Sequence, residues 1–313
     1  YGGVPIELEE VASPKNNYTR SSKEQVLAQA EQDVLFAAQH LADIKAVKDG
    51  EITSAAAYHL LSEIYLAEGK NREAVDAATK VIENPSLSLM QKRFGSRMNE
   101  QGDVYWDLFR RNNQNRSAGN TEGIWVVQFE TNVPGGGSST ATLKLTGNYM
   151  LERHFVPMTR DVKLMVDGKK LSPFKWPIGD YTGGRGIGWG ISTKYFSNKI
   201  WEDDFNGDIR NSNYNFVRKF PVNNSSFKAA TGIDTIDVDN PPAGLIVGQG
   251  NSTEIPGRYL FAYQTKATTP FNHPAELYQD ASSLLLKSIA GTTYVDQYMF
   301  RLSETYLLRA EAY

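Results

Sequence analysis

Between residues 22 and 84 apolar positions recur with the period of an α-helix, and the stretch holds no proline and only two glycines, Gly50 and Gly69. Ser22 and Gln25 stand three apart, the spacing at which two side chains satisfy the free N–H groups of a first helical turn. Leu27, Ala30, Val34, Ala37, Ala38 and Leu41 follow at helical spacing and predict a first helix. Ala56, Leu60, Leu61, Ile64 and Tyr65 predict a second, from about residue 53 to 68, with Gly69 placed to end it in a left-handed cap. Ala74, Ala77, Ala78, Val81 and Ile82 predict a third that starts at Asn71 and is stopped before Pro85.

The texture then changes. Residues 131–270 hold most of the glycine and proline, including Gly135-Gly136-Gly137 and the run from Gly183 to Gly188. Short strands are expected at 124–130 and 258–263, and helix returns over 294–313. A segment this long is not a plain loop and is expected to carry function or its own packing.

The helices hide a repeat. Residues 55–66 and 302–313 align at one offset that pairs Tyr58 with Tyr306, Leu60 with Leu308, Glu63 with Glu311 and Tyr65 with Tyr313. A large residue, a small one four later and a tyrosine three further on is the first helix of a tetratricopeptide unit. One unit is placed at 55–88. A second begins near 302, with Tyr306, Ala310 and Tyr313 expected to face inward; its second helix is missing, and a lone helix cannot bury its apolar face.

Composition narrows the function. A net charge of −3 over 313 residues gives none of the basic surface that a nucleic-acid binder uses to displace counterions. The absence of cysteine removes disulfides, thiolate metal sites and cysteine nucleophiles. No apolar run is long enough to span a membrane as a helix. The motifs of enzymes are missing too. Gly184-x-Gly186 lacks the third glycine of a dinucleotide loop, and no phosphate-binding Gly-Lys-Ser/Thr occurs. His40, His59, His154 and His273 are scattered, with no metal-ligand spacing. Asp203, Asp204, Asn206 and Asp208 resemble the start of a calcium loop, but Ile209 and Asn215 stand where its later glycine and glutamate belong. The simpler reading is an Asx-rich turn in which Asp208 pairs with Arg210. No cofactor is expected, and no catalytic residue.

Several segments, in order, resemble the SusD/RagB family of nutrient-binding proteins: YGGVPIELE at 1–9, the helix at 18–41, the hairpin at 52–84, NTEGIWVVQFE at 120–130, GRGIGWGISTKYF at 184–196 with the Asp-x-Arg region at 201–220, and FRLSETYLLRAEAY at 300–313. The last is the most specific. The resemblance covers essentially the whole chain, 1–313, as one SusD-like domain fragment. It implies a mainly α fold: tetratricopeptide-like helical hairpins in a helical region at 22–88, a long irregular ligand-binding insertion with a few short strands at 131–270, and the start of a further unit at 294–313. The family's lipidated N-terminal cysteine, first helices and remaining repeats are not in the sequence, which implies a partial chain. By the same resemblance the protein is a surface-exposed outer-membrane lipoprotein, attached through a lipid anchor outside this chain. It captures oligosaccharides, or in some members peptides, and delivers them to a SusC-like TonB-dependent transporter. A tetratricopeptide interaction scaffold and a polysaccharide hydrolase are the competing readings. The first has no need of a Trp-bearing irregular region, and the second needs two facing carboxylates.

Sugars dock on aromatic faces through their C–H patches, and glycine-rich loops present such rings outward. The ligand-binding candidates are therefore Trp176, Tyr181, Trp189 and, adjoining the Asp-rich turn, Trp201. The competing reading of each is a small core that holds the insertion together.

Overall fold

The computed structural model describes residues 2–140, 149–175, 179–247, 257–268 and 270–313. In chain order the helices are α1 (Lys23–His40), α2 (Ser54–Glu68), α3 (Asn71–Ile82), α4 (Val104–Leu108), α5 (Leu151–Phe155), α6 (Lys194–Ser197), α7 (Ser225–Thr231) and α8 (Leu302–Ala312). The chain divides into two compact units, one of residues 1–91, 115–127 and 298–313, the other of residues 92–114 and 128–297. The loop-rich unit thus starts earlier than the glycine content alone suggests, because 92–114 packs with it.

The helical unit follows its sequence closely. Ser22 Oγ accepts from Gln25 N, and Gln25 Oε1 accepts from Ser22 N at 2.9 Å, so the capping box at the head of α1 is formed. Thr53 is the N-cap of α2, and Gly69 ends it with φ +75°, a conformation open to glycine at no steric cost. α2 and α3 then meet through small residues. Ala56, Ala57, Ala74, Ala77 and Ala78 are all buried, which lets the helices approach closely around Leu61 and Val81. Tyr58 and Tyr65 lie at the rim of this core, half-buried, with the ammonium groups of Lys80 and Lys70 over their rings at 5.5 and 5.7 Å.

α8 corrects the register read from the repeat. Tyr306, Ala310 and Tyr313 are exposed, and the buried positions are Leu302, Thr305 and Ala312. These three, with half-buried Arg309 whose guanidinium reaches Thr79 Oγ1 at 3.4 Å, form the stripe that packs on α3 and α2. The matching tyrosines of α2 are rim residues as well, so aligning the helices carried over a rim position as though it were core. Helix begins at Leu302; residues 297–301 are strand and pair with Gly123–Val127, the strand expected at 124–130.

The loop-rich unit is built from short strands. Val162–Val166 lies between Lys169–Leu171 and Leu245–Val247 in an antiparallel sheet, and Lys219–Pro221 pairs with Thr235–Asp237. Of the strand expected at 258–263 only Tyr263–Gln264 forms, against Phe216–Val217; residues 258–260 make a turn. The largest core cluster gathers Val156, Val162, Phe174, Phe220, Phe227, Ile236, Phe261 and Tyr263. No helix among the described residues is long and apolar enough to cross a membrane.

Candidate functional site

α5 organises the loop that carries Trp189. A helix leaves its last carbonyls without intrahelical partners, and here the glycine-rich segment supplies them. Ile187 N and Gly188 N donate to Arg153 O at 3.0 and 3.1 Å, and Gly190 N donates to His154 O at 2.7 Å. The loop lies so close that a Cβ on Gly186 would stand 2.1 Å from Val156 O. Gly184, with φ +98°, comes equally close to Glu152, whose Oε1 accepts from Arg185 N at 2.8 Å. Backbone pressed this flat against its support leaves the ring of Trp189 standing out, 53% exposed, with the imidazole of His154 at 5.0 Å beside it.

A cavity opens on each side of Trp189 along the chain. One, of about 140 Å³, is lined by Met158, Phe174, Gly184–Ile187 and Tyr181 together with Arg160, Lys175, Arg185 and Arg258. The other, of about 390 Å³, is lined mainly by apolar and aromatic residues: Phe155, Gly190, Ile191, Phe196, Phe261 and Tyr263. The first contains four cationic residues and, among the described residues, no carboxylate in its wall. Burial lowers the pKa of the Arg185 guanidinium, and the neighbouring Arg153 and Arg160 add to the effect. Burial and like-signed neighbours thus both disfavour this cation.

Beneath the loop lies a buried charged chain. His273 Nδ1 donates to Asp180 Oδ1 at 2.5 Å and Nε2 to Glu152 Oε2 at 2.6 Å, all three side chains essentially without solvent contact. Tyr278 donates its hydroxyl to the other oxygen of Asp180, and Phe271 N reaches Oδ1 at 2.8 Å. Burial alone would pull the His273 pKa down, but the two carboxylates outweigh it and push it up to about 10. The ring is an imidazolium tying four chain segments together. A histidine with both nitrogens engaged and no solvent contact has no free nitrogen to offer a substrate, so its chemistry is that of a pin. Sequence reading missed it, since His273 carries no local motif.

The aromatic candidates part company. Trp189 is presented outward. Tyr181 is 8% exposed: its ring lies on the backbone of Gly179 and joins the main core, forming the wall of the cationic cavity. Trp201 is 7% exposed, packed on Phe216 and Ala262, with its indole N–H donated to Phe196 O at 2.8 Å. Neither is the outward-standing ring that glycine-rich sequence suggested, because long-range packing turned both inward. Trp176 lies outside the described residues. The Asp-rich turn is also settled. Asp208 forms a two-pronged ion pair with Arg210 and caps the short helical turn after it, and Arg210 holds its carboxyl below the usual range. Among the described residues Asp203, Asp204 and Asp208 do not converge on a shared cation position.

No family model and no curated protein matches the sequence. Solved structures do match the fold. A laminarin-binding SusD-like protein is 18% identical, with a TM-score of 0.55 over 99% of this chain and 54% of its own. Surface glycan-binding protein A from Bacteroides thetaiotaomicron, in complex with laminarihexaose, is 17% identical, with a TM-score of 0.54 over 96% of this chain and 52% of its own. A SusD-like protein from Bacteroides fragilis is 15% identical, with a TM-score of 0.53 over 100% of this chain and 53% of its own. The fold is that of the SusD-like proteins: mainly helical, with tetratricopeptide-like hairpins and a loop-rich part carrying short strands. The chain spans about half the length of the structures it matches.

Proposed function

We propose that this chain is the ligand-binding part of a surface nutrient-binding protein that captures oligosaccharides and delivers them to a TonB-dependent outer-membrane transporter, and that it is a binder and not an enzyme. The observation that carries the reading is Trp189, an exposed indole on a clamped loop whose preceding residues line a cationic cavity and whose following residues line an apolar one. A ring held by its backbone loses little freedom on stacking against a sugar. The fold supports the same reading, since structures that share it are described as binding laminarin or laminarihexaose. The cationic wall narrows the ligand class to oligosaccharides that carry carboxylate or sulfate groups.

Affinity screening against neutral and acidic glycans, with a peptide panel alongside, tests the proposal. Trp189→Ala should weaken the best glycan at least tenfold, about 1.4 kcal/mol, with thermal stability unchanged. Unaltered binding by a folded Trp189→Ala variant would misplace the site. Binding of peptides and of no glycan would replace the ligand class. Release of reducing ends from a polysaccharide would overturn the assignment as a binder.

A further inference from the structure

We propose that His59, Glu63 and Glu304 form a site for a divalent transition-metal ion, zinc being the best fit, that clips α2 to α8. His59 and Glu63 stand one helical turn apart on α2, and Glu304 lies in the first turn of α8. His59 Nε2 is 3.2 Å from Glu63 Oε1 and 3.6 Å from Glu304 Oε2, and all three ligand atoms lie within 4.8 Å of one another. Tetrahedral zinc with N and O ligands at about 2.0–2.2 Å places its ligand atoms about 3.3–3.5 Å apart. The two distances from Nε2 straddle that edge length without any movement of the helices.

A pair of surface glutamates is no site in itself. The further observation is the imidazole. His59 has no solvent contact, and its Nε2, aimed at the two carboxylates, makes no hydrogen bond. Its other nitrogen is 2.8 Å from Thr305 Oγ1, a residue equally buried on α8. With Nδ1 carrying the proton and donating to Thr305, Nε2 keeps its lone pair for a metal, the usual way an outer partner fixes a ligand's tautomer. The ring of Phe300 at 4.4 Å holds the imidazole plane. Among the described residues neither glutamate forms an ion pair with lysine or arginine.

The donor set selects the ion. One imidazole and two carboxylates suit zinc and its first-row neighbours, whereas calcium and magnesium prefer oxygen alone. Glu63 and Glu304 are 39% and 53% exposed, so the carboxylate side is open to solvent and water completes the coordination. A proton on Nε2, making a simple ion-pair cluster, is the competing occupant.

Titration of the apo protein with Zn2+ or Co2+ decides between them. The expected result is one equivalent bound, visible absorption bands for tetrahedral or five-coordinate Co2+, and a rise in thermal midpoint with Zn2+. Glu63→Gln and Glu304→Gln, both at solvent-exposed positions, keep the fold and each weaken binding at least tenfold; the double variant loses the thermal response. His59→Asn serves as a further arm where it folds. Wild-type protein that binds neither ion, or Gln variants that bind as wild type does, would overturn the site and leave the ion-pair cluster in its place.

Discussion

In the helical unit the residues sealed from solvent are mostly small or aliphatic, such as Ala55, Ala56, Ala57, Leu61, Ala74, Ala78 and Val81, with His59 and Glu122 as titratable exceptions. In the loop-rich unit the sealed set also includes Asp107, Arg110, Glu152, Asp180, Arg218 and His273. The first unit gains regular backbone hydrogen bonding from its helices and is held between them mainly by complementary shapes. The second has short strands and irregular turns, so its chain is positioned by side chains that reach across long sequence distances. Asp103, for example, accepts from Trp106 N, Ser212 Oγ and Asn215 Nδ2 and so holds residues more than a hundred positions apart in the chain. The contrast separates two uses of charge. Groups paired with each other, as in Glu152–His273–Asp180, hold the fold. Under the proposed function Arg185, which lines a cavity with no carboxylate in its wall among the described residues, is available to an acidic ligand.

The largest effect expected is on the buried pin. His273→Ala leaves two carboxylates in the interior without their cation and should cost about 3–5 kcal/mol. Amide exchange should show the loss confined to the loop-rich unit, with the α2–α3 hairpin still protected. A uniform loss across both units would erase the distinction. The same group gives a pH test. Its pKa is raised in the fold to about 10 from an ordinary 6.5. Its contribution is therefore complete below pH 6.5, declines as the pH rises above that value and is gone above about 10. Urea midpoints should fall between pH 7 and 10 in the wild type, and this portion of the fall should vanish in His273→Gln.

A smaller effect sharpens the other half of the contrast. Leu61 is 1% exposed between the helices, and Leu61→Ala should cost about 3 kcal/mol through lost burial and the cavity left behind. Tyr65→Ala, at the rim under Lys70, should cost about half as much, since only part of its surface is removed from water. Equal losses measured by urea unfolding would show that the rim is core after all.

These two regions also differ in how far sequence reveals them. The capping box at Ser22, the cap at Gly69 and the alanine faces of α2 and α3 were legible because each is set by neighbours within a few residues. The register of α8 was not, because which stripe turns inward depends on α2 and α3, which lie far away in the chain. His273 was illegible for the same reason: its partners stand 93 and 121 residues away. The three described aromatic candidates looked alike in sequence, each near glycine or in irregular chain. The carbonyls of α5 fix the loop from which Trp189 faces out, whereas packing on residues distant in the chain turns Tyr181 and Trp201 in.

The smallest effect expected concerns Arg185. Its side chain is half-buried in the wall of the cationic cavity, and the charged neighbours that shift its pKa most, Arg153 and Arg160, are of like sign. A cation so placed adds little to the stability of the free protein, so Arg185→Gln should change the unfolding free energy by less than about 0.5 kcal/mol, or raise it slightly. This is the opposite of what removing one member of a buried pair does. The binding experiment separates the two uses of charge. If the cavity takes an acidic group, an acidic oligosaccharide should bind the wild type more weakly as salt is raised, because screening weakens the attraction. Arg185→Gln should lower that affinity several-fold, about 1 kcal/mol, and flatten the salt dependence. A neutral oligosaccharide of the same linkage should be indifferent to both salt and substitution, since stacking on Trp189 involves no net charge. If acidic and neutral glycans bind alike and neither responds to Arg185→Gln, the lining cations take no part in recognition. If instead the substitution costs several kcal/mol of stability, Arg185 belongs with the paired charges that hold the loop-rich unit, and the line drawn between scaffold and site must move.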